Sequence, residues 1–118
     1  MKNWSVFLFV SILMLTATSA GPLDGKWDFK AESSDGQVFE LILSLWEADG
    51  ELKGTLGNYE GDIPLEDVKL DGNQLHFSVT TPDWIKYQAE VKVTGDQMEG
   101  GYKGDDGSSG KITAKRSN

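Results

Sequence analysis

Turn signals recur at short intervals along most of this chain. They are Asp35-Gly36, Asp49-Gly50, Gly61-Asp62, Asp71-Gly72-Asn73, Pro82-Asp83, Gly95-Asp96 and the glycine- and serine-rich run 104–110. Aspartate, asparagine and glycine at such positions favour tight reversals between strands. The segments between the signals alternate apolar and polar residues, which is the period of a strand with one buried face. The sequence therefore predicts an antiparallel meander.

The alternation predicts eight strands. They cover 26–31, 37–46, 51–57, 63–70, 74–80, 84–94, 97–103 and 110–116. Pro64 is placed at the start of the fourth strand, because proline has no N–H for a sheet ladder. Gly54, Gly100 and Gly101 predict bends or bulges within strands.

Eight antiparallel strands in sequence order leave an exposed edge at each end unless the first and last strands pair. We therefore expect an all-β, eight-stranded antiparallel up-and-down barrel, with a two-sheet sandwich as the alternative. A barrel of this size is filled by side chains or holds one small ligand. The predicted inward residues are bulky, which favours a mostly filled core with Tyr87 and Tyr102 as its polar groups. These inward residues are Phe29, Phe39, Leu41, Leu43, Leu45, Leu56, Leu70, Leu75, Phe77, Val79, Ile85, Tyr87, Val91, Val93, Met98, Tyr102 and Ile112.

The first 20 residues follow a different pattern from the rest. Lys2 precedes an apolar stretch, 6–15, which small residues and Gly21 follow. This order predicts a signal peptide, 1–20, cleaved after Ala20, and a secreted or periplasmic protein with one barrel domain, 21–118. The apolar stretch is about half the length of a membrane-spanning helix. An uncleaved anchor is the alternative.

The charge of the chain limits its partners. The net charge is −8, and removal of 1–20 takes away one lysine and gives −9. An acidic surface repels nucleic acid and anionic lipid, so we expect neither nucleic-acid nor membrane binding after signal cleavage. A basic protein partner or a small apolar ligand remains. The chain has no cysteine and one histidine, which argues against disulfides and zinc, and no cofactor is expected.

No residue pattern points to catalysis or to a metal. His76 lies between Leu75 and Phe77 on the polar face of its strand, and no G-x-S-x-G motif occurs. The carboxylates fall in turns or on polar strand faces, where they stay solvated, so a carboxylate-dependent enzyme is the weaker alternative. The 104–110 run lacks the ligand spacing of an EF-hand and is expected to be a flexible loop.

The longer connections of the meander are predicted to share one end of the barrel, its mouth. These connections are 33–36, 57–62, 81–83 and 104–109. Tyr59 and Trp84 lie there, and the acidic residues of this end are Glu32, Asp35, Glu60, Asp62, Asp83, Asp105 and Asp106. We predict Tyr87, Tyr102, Tyr59 and Trp84 as ligand-binding residues. The alternative role of Trp84 is to cap the barrel rim or to pack on a neighbouring loop. Trp46 is expected near the opposite end.

The motif Gly25-Lys26-Trp27 on the first strand and Lys115-Arg116 on the last resembles the signature of the calycin superfamily, which includes lipocalins, fatty-acid-binding proteins and avidins. The resemblance implies that Gly25, Trp27 and Arg116 close one barrel end, with the basic side chain over the indole. The segment 48–55 is similar to the second hairpin of avidin-type barrels, but no biotin site can be placed. The pattern over 24–116 looks closest to glycine-punctuated barrels found alone or beside hydrolase domains in exported bacterial proteins.

These observations predict an exported, non-catalytic binding module. Its ligand is expected to be a small apolar molecule in the barrel or a protein at the acidic, aromatic mouth. The alternative is an inhibitor or accessory subunit of a secreted hydrolase.

Overall fold

The computed structural model describes residues 23–58 and 60–117, so the predicted signal peptide and Tyr59 lie outside the described residues. Strands make up most of the described chain. They are β1 (Gly25–Ser33), β2 (Val38–Ala48), β3 (Glu51–Asn58), β4 (Gly61–Pro64), β5 (Glu66–Asp71), β6 (Gln74–Thr80), β7 (Lys86–Thr94), β8 (Gln97–Gly104) and β9 (Ser109–Arg116). In this part of the protein no helix is long and apolar enough to cross a membrane.

The strands form one antiparallel sheet in the order β4-β3-β2-β1-β9-β8-β7-β6-β5. The first and last strands pair, from Trp27 opposite Arg116 to Ser33 opposite Gly110. The two outermost strands of this order, β4 and β5, follow each other directly in the chain. The pairing of β1 with β9 therefore curls the sheet into a nearly closed barrel. The predicted all-β antiparallel barrel is confirmed, and the sandwich alternative is not what forms.

The predicted number of strands was wrong, because the fourth strand is broken in two. β4 pairs with β3 and β5 pairs with β6, and Leu65 lies between them. Pro64 ends β4 rather than starting a strand, and it has no N–H to continue the ladder. The backbone then turns at Asp67, whose φ is 51°, and the pairing with β6 shifts register between Glu66 and Lys69. A β-bulge of this kind bends a strand away from its former neighbour.

The barrel interior is filled at mid-height. Phe29 on β1 and Phe77 on β6 stand on strands that β9, β8 and β7 separate in the sheet, yet their ring centroids are 6.5 Å apart. Both rings are buried, so they close the barrel lumen between opposite walls. The other buried apolar side chains of the core are Leu23, Trp27, Ala31, Leu43, Leu45, Leu56, Leu75, Val79, Ala89, Val91, Met98, Ile112 and Ala114.

Candidate functional site

The two barrel ends differ in the length of their connections. Two-residue turns at 49–50, 72–73 and 95–96 lie at one end, together with both termini of the described chain. The longer connections 34–37, 81–85 and 105–108 lie at the other end, which we call the mouth.

The end opposite the mouth is closed by Trp27. Its indole is fully buried and donates from Nε1 to the carbonyl of Leu23 at 3.0 Å. The guanidinium carbon of Arg116 lies 4.3 Å from the centre of the Trp27 ring. Arg116 also donates to the carbonyl of Asp24 at 2.8 Å and to the carboxylate of Asp96 at 2.9 Å. The guanidinium therefore joins the chain start, the indole and the β7–β8 turn.

Gly25 and Asp24 adjoin this closure. Gly25 has a φ of 125°, which other residues rarely adopt, and a β-carbon there would lie 3.5 Å from Arg116 Nη1. The Oδ1 atom of Asp24 is buried and has no hydrogen-bond partner among the described residues. Buried polar atoms are normally paired, so this oxygen is an exception within the described residues.

Near the mouth, the inner face is open to solvent. Phe39 points into the barrel beside Ala31, yet 49% of its surface is exposed. Leu41, Tyr87 and Tyr102 are also inward-facing and half-buried. These four residues, Phe39, Leu41, Tyr87 and Tyr102, form what we call the mouth cup. Its depth is limited by the buried rings of the mid-height core.

The two tyrosines of the cup are held against each other by glycines. Their ring centroids are 5.9 Å apart in an edge-to-face arrangement. Tyr87 pairs across strands with Gly104, where a β-carbon would lie 2.7 Å from the tyrosine ring. Tyr102 pairs with Gly110, where a β-carbon would lie 2.7 Å from its ring. The glycines thus leave the space in which each ring lies flat across its neighbouring strand.

Two carboxylates at the mouth keep its rim anionic. Asp35 accepts a hydrogen bond from the Ser33 hydroxyl, and this bond holds the pKa of Asp35 below its usual value. Asp106 accepts from the hydroxyl and the backbone N–H of Ser108, at 2.6 and 3.0 Å, and these bonds lower the pKa of Asp106. Desolvation, then Tyr87 and these two carboxylates, raise the pKa of Tyr102. The cup therefore joins an apolar wall to a negative rim.

Trp84 does not belong to the predicted strand 84–94, because β7 begins at Lys86. It stands in the β6–β7 connection with a φ of 67°, and 87% of its surface is exposed. Its backbone N–H donates to the Thr81 carbonyl at 2.8 Å, and Thr81 also bonds to Asp83 and Ile85. The loop is thus ordered while the indole is in solvent. Such exposure rules out the alternative in which Trp84 packs onto the rim or a neighbouring loop.

The predicted ligand-binding residues thus separate into two places. Tyr87 and Tyr102 are together in the cup, and Trp84 stands outside it. Phe39 was expected in the core, and its nearness to the start of β2, beside the mouth loop, was the signal for its exposure. The exposed Trp46 lies toward the closed end, where it was expected. Within 23–58 and 60–117, no three histidine or acidic side chains gather in a way that could hold a metal ion.

Comparison with known proteins supports the barrel fold but assigns the chain to no family. The chain matches no protein family and no curated protein. It is similar to the redesigned β-barrel mFAP1 bound to DFHBI, at 21% identity and a TM-score of 0.61, over 80% of this chain and 94% of that one. It also resembles the redesigned barrel mFAP0 bound to DFHBI, at 20% identity and 0.63, over 81% and 100%. A fluorescence-activating β-barrel designed de novo matches at 16% identity and 0.63, over 86% and 100%.

Proposed function

We propose that the protein is an exported, non-catalytic binding module that holds a small, largely apolar molecule in the mouth cup. The observation that carries this proposal is Phe39, an inner-face aromatic side chain left half exposed at the mouth, the barrel end that also holds the Tyr87–Tyr102 pair. A concave apolar surface with a few polar groups is the usual form of a small-molecule site. The signal peptide proposed for 1–20 would direct the protein to the periplasm or the cell exterior.

The geometry limits the ligand in size and charge. Phe29 and Phe77 fill the barrel below the cup, so the ligand is bound at the mouth and not along the barrel axis. Asp35 and Asp106 stay ionised at neutral pH and disfavour an anion. A neutral or cationic molecule with an aromatic or aliphatic body fits these conditions.

The similar structures support this proposal at the level of the fold. mFAP1 and mFAP0 are both barrels with DFHBI bound. The same barrel architecture is therefore compatible with a bound ligand.

The rim carboxylates support a non-catalytic role. A carboxylic acid that donates a proton at neutral pH needs a raised pKa, usually through burial. The pKa values of Asp35 and Asp106 are lowered instead, and both side chains are exposed.

The sharpest test compares two dyes that differ by one charged group. N-phenyl-1-naphthylamine is neutral, and 8-anilinonaphthalene-1-sulfonate has the same rings with a sulfonate. We expect the neutral dye to bind and fluoresce, and the anionic dye to bind at least about tenfold more weakly because of the anionic rim. Equal binding of the two dyes would contradict the proposed charge preference.

Two neighbouring residues on β2 provide the matched variants. Phe39→Ala removes an inner-face ring and is expected to weaken binding of the neutral dye by about tenfold or more. Val38→Ala, at a position of 50% exposure on the outer face, removes apolar surface outside the cup and should leave binding unchanged. Binding that is insensitive to Phe39→Ala would place the ligand outside the cup and overturn the proposal.

Trp84 supports a second candidate function, docking of a protein at the mouth. A tryptophan in solvent on an ordered loop, at a backbone angle that is costly for this residue, is a typical anchor for a partner. The partner would be a basic protein such as a secreted hydrolase. Native mass spectrometry of the protein from its own source separates the two functions by the mass that stays bound, and Trp84→Ala should abolish only the protein complex.

A further inference from the structure

The barrel wall is split below the break in the fourth strand. β4 follows β3 up to Thr55 opposite Pro64, and the Leu65 N–H donates to the Gly54 carbonyl at 2.9 Å. Beyond this bond β5 follows β6 instead. The first three residues of β3, 51–53, therefore pair with β2 on one side and with none of the described strands on the other.

This free edge offers backbone hydrogen bonds. Successive residues of a strand direct their N–H and C=O groups to opposite sides. Because the Gly54 carbonyl points toward β4, the N–H and C=O of Leu52 point to the same side, into the split. On the other side of the split, β5 is the last strand of the sheet order, and along one edge it also pairs with no described strand.

An open cleft of about 830 Å³ occupies the split. Leu52 of β3 and Val68 and Leu70 of β5 form its apolar walls, with Leu70 42% exposed. Trp46 stands at its border and is 40% exposed. Leu23, at the closed end of the barrel, contributes a buried apolar surface.

The charges of the cleft favour a cation. Asp24, whose Oδ1 atom is buried and has no hydrogen-bond partner among the described residues, is one of the residues that line it. Glu47, Glu51 and Asp67 are also in the lining, against one lysine, Lys53. Asp67 lies 3.6 Å from Lys86, which comes from outside the cleft, so the lining itself is negative.

We propose that the split is a second binding site, in which an extended peptide segment of another protein adds as a strand to the free edge of β3. Alternate side chains of the peptide pack on Leu52, Val68 and Leu70, and a basic side chain of the same face reaches Asp24. Strand addition takes affinity from backbone bonds and specificity from alternate side chains, and this cleft supplies both. A second copy of the chain is disfavoured, since two acidic edges would face each other.

A synthetic peptide tests the proposal on the isotope-labelled protein. The probe is the capped peptide Lys-Thr-Val-Thr-Val-Thr-Val, in which lysine and the valines share one strand face, used where it stays monomeric. We expect it to shift the backbone amide signals of Leu52, Val68 and Leu70 while leaving those of Tyr87 and Tyr102 unchanged. Shifts confined to the mouth, or dimerisation of the protein through the β3 edge, would overturn the proposal.

Matched peptides and variants assign the contacts. A peptide with glutamate in place of lysine should bind about tenfold more weakly, and Asp24→Asn should reduce that difference. Glu90→Gln, an exposed substitution on β7 away from the cleft, should preserve it. The lysine peptide methylated on every backbone nitrogen cannot add as a strand, and no binding is expected. Tight binding of the methylated peptide, or an unchanged preference in Asp24→Asn, would refute strand addition at this cleft.

Discussion

Tyr102 is the residue at which the apolar cup and the anionic rim meet. Burial is the largest cause of its raised pKa, followed by electrostatic interactions with Tyr87, Asp35 and Asp106. We expect Tyr102 to ionise above pH 10, the ordinary value, in an alkaline titration followed by tyrosinate absorbance. Tyr102→Phe should remove this late component, and its persistence in the variant would assign the raised pKa to another tyrosine.

The raised pKa of Tyr102 also predicts how the free energy of unfolding changes at alkaline pH. The folded protein holds the Tyr102 proton more tightly than the unfolded chain does. The free energy of unfolding therefore falls as the pH rises from the unfolded pKa through the higher folded pKa. Tyr102→Phe should make this alkaline fall shallower.

The positions of the residues at the closed end can be predicted from the sequence better than those of the residues at the mouth. Trp27 and Arg116 lie on the paired first and last strands, and their contact follows once the barrel closes. The exposure of Phe39 and Trp84 is harder to predict. Alternation assigns a residue to the inner or outer face of a strand but does not say how near it lies to the open end of the barrel. Phe39 is on the expected face and above the filled core, so it is exposed. Trp84 is placed by a loop conformation that no alternation predicts.

At the scale of elements, turn chemistry and alternation account for every strand except the fourth. The apolar residues of that segment change phase along the chain, from Ile63 and Leu65 to Val68 and Leu70. Such a shift by one residue is the sign of a bulge, and Pro64 beside it marks the end of a ladder. The pattern of apolar residues does not predict that β4 pairs with β3 while β5 pairs with β6, because this pairing depends on the curvature of the whole barrel.

Gly54 makes the break possible, because Leu65 packs in the space of its missing side chain. A β-carbon at Gly54 would lie 2.8 Å from Leu45 Cδ2 and 2.9 Å from Leu65 Cδ1, and it would also meet the Ser44 carbonyl. We expect Gly54→Ala to lower the free energy of unfolding by about 1–3 kcal/mol, measured by urea denaturation.

A double substitution shows whether Leu65 is part of this conflict. Leu65→Ala takes away one of the three atoms that the new methyl group would meet and leaves the Ser44 carbonyl and Leu45 Cδ2 in place. The two changes together should therefore cost less than the sum of the single changes. Strict additivity would mean that Leu65 does not pack over Gly54.

For the whole molecule, stability comes from sheet closure and one filled core, since the chain has no cysteine to form a disulfide. The closure could be predicted from the number and order of the strands. A nearly filled core could be predicted from the bulk of the inward residues. Neither argument shows that opposite walls meet through the contact between Phe29 and Phe77, because that depends on the barrel radius.

The contact between Phe29 and Phe77 divides the molecule into a filled lower barrel and an open cup, so removing one ring should change both stability and binding. Phe77→Ala is expected to lower the free energy of unfolding by about 3–5 kcal/mol, while Trp84→Ala, at an exposed site, should change it by less than about 0.5 kcal/mol. The lost ring leaves an apolar cavity below the cup. Added benzene should therefore raise the thermal midpoint of Phe77→Ala and not that of the unaltered protein. A loss no larger than that of Trp84→Ala, or no response to benzene in a folded variant, would mean that the two rings do not close the lumen.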